Sequence, residues 1–398
     1  MGSKMESYVP RFFQAPSQSF FLFGPRGTGK STFLKQHYPD ALWVDLLEPD
    51  IFRAYLSRPE RIIELVRGNP EKKVIIVDEV QKAPEILSAV HSLIEEKIKR
   101  TLVLTGSSAR KLKRTGIDLL AGRVLLRTLH PFLLSELPAP PSFAEILQLG
   151  LLPIVISAKN PRDVLKAYVS LYVREEVQIE GLVRNLGNFS RFLEAVSFSH
   201  AGLLNVSNVA RECGVERKAV EAYIQILEDI LLAFKLPVFA KRAQRAVVAH
   251  PKFYFFDTGV FQSLRPQGPL DRPEEIAGAA LEGLVAQHLR AWNAYRNEPY
   301  ELFFWRSRGG LEVDFVLYGK NGIHAIEVKN TNRVRPEDLR SLQEFRQDYS
   351  KSQTILLYRG KDKLLLDHIL CMPCEMFLKA LSPQVDLGDI AEGRGLKA

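Results

Sequence analysis

Four apolar residues, Phe20 to Phe23, run into Gly24-Pro25-Arg26-Gly27-Thr28-Gly29-Lys30-Ser31-Thr32 before apolar residues resume at Phe33. A buried strand needs bulky side chains, yet this chain discards them where a strand would hand over to a helix. Backbone without Cβ atoms can be approached closely, and the ligand that exploits such a turn is phosphate. The order glycine, four residues, glycine, lysine, serine is the spacing of a P-loop. Its backbone from Gly24 to Thr32, with an N–H at every residue but Pro25, would wrap the phosphates of ATP, Lys30 would reach the β and γ groups, and Ser31 would hold Mg²⁺. A helix expected from Ser31 to Gln36 adds its positive end to the same anion.

The segments that follow are those of a parallel sheet. ALWVDL (Ala41–Leu46) and KVIIVDE (Lys73–Glu79) read as strands, the second with an apolar run of the kind buried on both faces. It ends on two carboxylates: Asp78 suits the Mg²⁺ hydration shell and Glu79 the attacking water. TLVLT (Thr101–Thr105) ends in Gly106-Ser107-Ser108, where Ser107 or Thr105 can sense the γ-phosphate. Leu120-Ala121-Gly122-Arg123 precedes another strand, Val124–Leu129. Arg123 is the candidate for a guanidinium that neutralises charge in the transition state, and acting in trans it requires a homo-oligomer.

GPRGTGKS, VIIVDEVQKAP, LTGSS, LAGR and HPFLLSEL, taken in that order, resemble the prokaryotic AAA-type ATPases that carry a restriction-endonuclease-like C-terminal domain. The resemblance covers nearly the whole chain. It implies a RecA-like ATPase core in an α/β protein.

Composition sets the remaining bounds. The 398 residues are 46% hydrophobic and 25% charged, enough for two or three full cores. The net charge of +8 permits an acidic partner such as DNA without requiring one. Lys99–Arg127 holds eight basic residues against Asp118 alone, and Lys235–Lys252 holds five against none. Cys213, Cys371 and Cys374 are too few for a disulfide framework. Cys371-Met372-Pro373-Cys374 has the gap of a metal knuckle but no second pair, so packing is the expected role. No apolar run reaches the ~20 residues of a membrane helix. Met1–Lys4 reads as vector-derived before Met5, nothing resembles a signal peptide, and a reducing cytoplasm is the expected compartment.

Pro138-Ala139-Pro140-Pro141 marks a boundary. The expected domains are 1–138 for the ATPase, 142–265 for a helical and winged-helix middle, and 266–398 for an α/β domain resembling restriction endonucleases. Phe143–Ser199 is patterned as helix, with Leu165, Tyr168, Val169 and Tyr172 recurring on one face. A helix capped at Ser207, a Cys213-Gly214 turn and a helix from Glu216 to Leu231 form a helix-turn-helix pattern. Strands at Phe234–Phe239 and Lys252–Phe256 complete the outline of a winged helix. In a DNA-binding reading, Arg217 and Lys218 open the recognition helix and Lys241, Arg242 and Arg245 occupy the wing. Protein contact is the alternative use of the same module.

The last third holds a hairpin, Leu311–Tyr318 and His324–Lys329. Alternation places Glu312 and Asp314 on one face, away from Val313 and Phe315, and pairs Glu327 with Lys329 on the second strand. Acidic residues are disfavoured in strands, so their gathering suggests a site. Asp followed by Glu-x-Lys resembles the restriction-endonuclease superfamily. That resemblance implies Asp314 and Glu327 as Mg²⁺ ligands, Lys329 beside the attacking water, and Glu282 as an additional helix carboxylate. Trp305, Arg306 and Arg308 are candidates for nucleic-acid contact.

Two functions follow as expectations. One is a Mg²⁺-dependent AAA-type ATPase acting on nucleic acid; the other is a nucleotide-dependent switch whose C-terminal domain does not cleave.

Overall fold

The computed structural model describes residues 8–96, 99–107, 120, 122–172, 185–240 and 250–392. The chain divides into two compact units. One comprises residues 13–130 with 226–232; the other comprises 1–12, 131–225 and 233–398.

The first unit is built on five parallel strands: β1 (Phe20–Phe23), β2 (Leu42–Asp45), β3 (Val74–Asp78), β4 (Thr101–Gly106) and β5 (Leu125–Thr128). Their spatial order is β2-β3-β4-β1-β5, so β4 lies between the strand leading into the glycine turn and the strand ending on Asp78. Parallel strands need crossovers, and helices α1 (Lys30–His37), α2 (Pro49–Ser57), α3 (Arg61–Gly68) and α4 (Ile86–Glu95) provide them. Phe21, Phe23, Ile75, Val77, Leu102 and Leu104 face a core completed by Ile62 and Val66 of α3 and by Leu87, Val90 and Leu93 of α4. The alternate residues Phe20, Leu22, Ile76 and Val103 are equally buried. That two-sided burial is why these strands read as unbroken apolar runs.

The second unit contains a six-stranded mixed sheet ordered β13-β14-β12-β11-β10-β9. Its strands are β9 (Glu301–Arg306), β10 (Glu312–Gly319), β11 (Gly322–Val328), β12 (Gln353–Tyr358), β13 (Leu364–Leu366) and β14 (Ile369–Pro373). Trp305, Val313, Val316, Ala325 and Leu356 form one face of it and pack under Leu342 and Phe345 of the helix Arg340–Asp348. Trp305 is therefore a core residue rather than a nucleic-acid contact; its ring meets Phe345 edge-on at 5.4 Å.

A smaller antiparallel sheet, β6-β8-β7, joins β6 (Gly202–Leu203), β7 (Ala233–Leu236) and β8 (Lys252–Phe255). Between β6 and β7 the chain forms the helices Val206–Cys213 and Arg217–Asp229, with Gly214 between them in the left-handed conformation at φ 65°. The cap expected at Ser207 is instead Asn205, whose side chain accepts from the Asn208 amide at 3.0 Å. The helical stretch expected over Phe143–Ser199 begins as short helices, Phe143–Leu149, Pro153–Ile156 and Pro161–Ala167, followed by a π-type turn at Tyr168–Tyr172, and its end is the longer helix Leu186–Ser197. Pro153 and Pro161 each start a helix and so divide the run. Ser108, Lys241, Arg242 and Arg245 lie outside the described residues.

HPFLLSEL turns out to be an anchor. Glu136 is buried and accepts from the Phe12 amide at 2.6 Å, the Leu133 amide at 2.9 Å and Arg11 Nε at 3.3 Å. The Leu134 amide donates to His288 Nε2 at 3.0 Å. Among the described residues no helix is long and apolar enough to cross a membrane.

Candidate nucleotide site and carboxylate cluster

The glycine turn leaves β1 and enters α1 as its spacing requires. Gly27 and Gly29 take φ 79° and 87°, values that favour glycine, and no atom lies within 4 Å of a Cβ built at Gly29. Gly24 is fixed by packing instead, since a Cβ there would meet the Leu129 carbonyl at 2.5 Å. Thr28 Oγ1 donates to the Pro25 carbonyl at 2.8 Å and closes the turn. Lys30 is buried, with Nζ donating to the Gly24 carbonyl at 2.7 Å. Arg26 and Thr32 are exposed at the turn's rim. No side chain caps the first turn of α1.

Ser31 Oγ donates to Asp78 Oδ2 at 2.7 Å, bringing together the two residues expected on Mg²⁺. Thr105 Oγ1 donates to the other oxygen of Asp78 and accepts from the Glu79 amide at 3.0 Å. Glu79 is not the last residue of the strand: its backbone turns left-handed at φ 59°, which redirects the side chain. A non-glycine residue held there costs about 1–3 kcal/mol and tends to mark a working site.

Gln81 was missed in the sequence. Its Nε2 donates to a carboxylate oxygen of Glu79 and, at 2.9 Å, to Ser107 Oγ, while its Oε1 is buried with no hydrogen-bond partner. A polar residue two positions past Glu79, between Val80 and Lys82, was the available signal. With Gln81→Leu we expect ATP affinity to hold while kcat falls by about 10²-fold, the scale of a misaligned catalytic group. Steady-state kinetics separates kcat from KM and checks this. Arg123 sits just before β5, half exposed and paired with Glu95 of α4.

The second constellation differs from expectation. Between the pairs Val313–Trp305 and Val316–Phe303, β10 has one more residue than β9. This bulge interrupts alternation beyond Val313, so Val313 and Val316 both face the core, while Glu312 and Asp314 keep the common side expected of them. Asp314 Oδ2 accepts from the Val328 amide at 2.9 Å, and its own amide donates to Glu327 Oε2 at 3.4 Å. Glu327 is held by Lys329 Nζ at 2.6 Å.

The remaining partner comes from β8. Lys252, only 1% exposed, sets Nζ 2.8 Å from Asp314 Oδ1, 3.0 Å from Glu282 Oε1 and 2.7 Å from Glu312 Oε1. Tyr254 OH donates to the same Glu282 oxygen at 2.7 Å. Of the three carboxylates expected on Mg²⁺, Glu282 and Asp314 thus share Lys252, and Glu327 is paired with Lys329. Among the described residues no group of three or more His, Cys, Asp or Glu side chains is arranged to hold a metal.

Burial disfavours the Lys252 ammonium, but Asp314, Glu282, Tyr254 and Glu312 together outweigh it and raise its pKa. Burial, then Asp314, pushes Glu282 up to about 7 and Glu327 up to about 8. Both carboxyls bind protons more tightly folded than unfolded. Their contribution to stability is complete below about pH 4.5 and is lost as pH rises through 7 to 8. The melting temperature is accordingly expected to fall between pH 5 and pH 8.5, and Asp314→Asn is expected to flatten that slope.

Residues 16–138 match the family model of an AAA domain, residues 141–271 that of a domain of unknown function (DUF8612), and residues 277–377 that of another (DUF4143). No curated protein matches the sequence. Among solved structures, the replication initiator DnaA bound to AMPPCP and single-stranded DNA is 14% identical, covering 54% of this chain and 83% of its own at a TM-score of 0.26. AMPPCP-bound DnaA from Aquifex aeolicus is 12% identical, covering 53% and 81% at 0.27. Protein VC1899 from Vibrio cholerae is 11% identical, covering 95% and 98% at 0.20. Superpositions this loose carry no argument. The glycine turn, the Ser31–Asp78 pair and the AAA family match do, and they make residues 16–138 a P-loop ATPase domain of the AAA type.

Proposed function

We propose that the protein is a Mg²⁺-dependent ATP hydrolase that acts on nucleic acid, DNA in the first instance, as a homo-oligomer. The observation that carries the hydrolase reading is the hydrogen-bonded chain Ser31–Asp78–Thr105–Glu79, set beside an open glycine turn. In this reading the backbone N–H groups of 24 and 26–32 and the Lys30 ammonium bind the phosphates. Ser31 and Asp78 would hold Mg²⁺, which when bound offsets charge on the β and γ oxygens. Glu79 accepts a proton from water, Gln81 orients that carboxylate and shares the bond with Ser107, and Arg123 serves a neighbouring subunit's site.

The nucleic-acid part of the reading is supported by the helix–glycine–helix arrangement between β6 and β7 of the small sheet, with Arg217 and Lys218 exposed where the second helix opens. Arg306 and Arg308 are also exposed. Arg217 pairs with Glu221 at 2.9 Å, an exposed contact that a phosphate can displace.

One observation favours the second reading, a nucleotide-dependent switch with a non-cleaving C-terminal domain: Lys252 stands among the carboxylates where a metal was expected. ATP turnover measured with and without single-stranded, double-stranded and branched DNA tests the two. Stimulation by any of these supports action on DNA; indifference to all three, with tightly retained nucleotide, supports the switch.

A further inference from the structure

Lys252 belongs to β8 of the small sheet, whereas its partners belong to the helix Pro273–Ala294 and to β10 of the large one. One ammonium makes three contacts of 2.7 to 3.0 Å with three different carboxylates. These are lengths of charge-assisted N–H···O bonds, and a lysine's three donors match the three acceptors one for one. Mg²⁺ demands oxygens at about 2.0–2.1 Å in octahedral array, so it cannot share this space with the ammonium. Displacing the ammonium would require the stem to leave an enclosed position. Tyr254 and Phe304 enclose it, Phe304 with its ring centroid 5.9 Å from Nζ. The fourth carboxylate, Glu327, has its own lysine in Lys329.

We propose that Lys252 is the resident cation of this cluster. It takes the place of a divalent metal, and it clasps the small sheet to the large one. The C-terminal domain then has the carboxylates of a phosphodiesterase site without a metal between them, and it cuts no phosphodiester. Such a domain can present its exposed arginines to a nucleic acid and hold it uncut. The inference rests on the geometry around Lys252 and not on the ATPase reading, and the two fail separately because the test omits nucleotide.

Mn²⁺ alone is the probe. It is titrated into the full chain without ATP and followed by the electron paramagnetic resonance signal of the free ion. Wild type and Asp314→Asn are expected to give superimposable curves. A Mn²⁺ equivalent bound by wild type and lost in Asp314→Asn would overturn the proposal. Lys252→Met, checked for a cooperative melt, is expected to gain one Mn²⁺ equivalent that a second change, Asp314→Asn, removes. A folded Lys252→Met that gains none would also overturn it, since the ammonium would then not be what excludes the ion. Should that variant fail to fold, the comparison of wild type with Asp314→Asn decides by itself.

Discussion

Glu79→Gln is expected to bind ATP as tightly as wild type while turning it over about 10²–10⁴-fold more slowly, the usual contribution of a positioned general base. The change keeps the shape of the side chain and removes only its ability to take a proton from water. Geometry favours so large an effect. Glu79 stands one residue past β3, in a left-handed conformation that a strand would not impose, with its amide on Thr105 and its carboxylate on Gln81. Thr105 also holds Asp78, so one hydroxyl ties the residue expected at the metal to the residue expected at the water. Single-turnover hydrolysis beside an equilibrium binding titration checks the prediction. Unchanged turnover would remove Glu79 from the mechanism.

Glu136→Ala is expected to be the most damaging single change to stability, costing about 3–5 kcal/mol, as removing one partner of a buried ion pair does. Its carboxylate is fully enclosed and receives Arg11, the Phe12 amide and the Leu133 amide. Arg11 would lose its buried countercharge, and the buried Leu133 amide and the half-buried Phe12 amide would lose their acceptor. Denaturant titration of the variant measures the loss. A cost below about 1 kcal/mol, the range of an exposed pair, would mean that the carboxylate is not what fastens the chain's beginning to this unit.

The ATPase strands were legible to within a residue or so, β1 to β4 because each is a largely apolar run closed by glycine or a carboxylate. Phe20–Phe23 is read from sequence with the bounds that the structure gives, and Lys73–Glu79 shortens by one residue at each end to Val74–Asp78. Glu79 escapes the strand because its backbone changes hand, which no pattern of side chains announces.

The carboxylate cluster was legible only in part. Asp314 stood out as an acid inside Val-Asp-Phe-Val, and alternation placed it with Glu312, but it could not foresee the bulge between Val313 and Val316. Lys252 was invisible for a different reason. Its partners Glu282 and Asp314 lie 30 and 62 positions further along the chain, and nothing local distinguishes it from any lysine that opens a strand. Trp305 misled in the opposite direction: an aromatic followed by Arg306 and Arg308 looked like a stacking platform, and the fold buries it under the helix Arg340–Asp348. Sequence therefore conveys which residue types are unusual for their place. Long-range pairing decides what they meet.

The central claim is that the turn Gly24–Ser31 cradles a nucleoside triphosphate and that Lys30 reads its phosphates. Equilibrium dialysis of radiolabelled ATP with Mg²⁺ against wild type and Lys30→Ala measures this directly. The account predicts one nucleotide retained per wild-type chain and little or none by the variant. Equal retention by both proteins, or by neither, would contradict it.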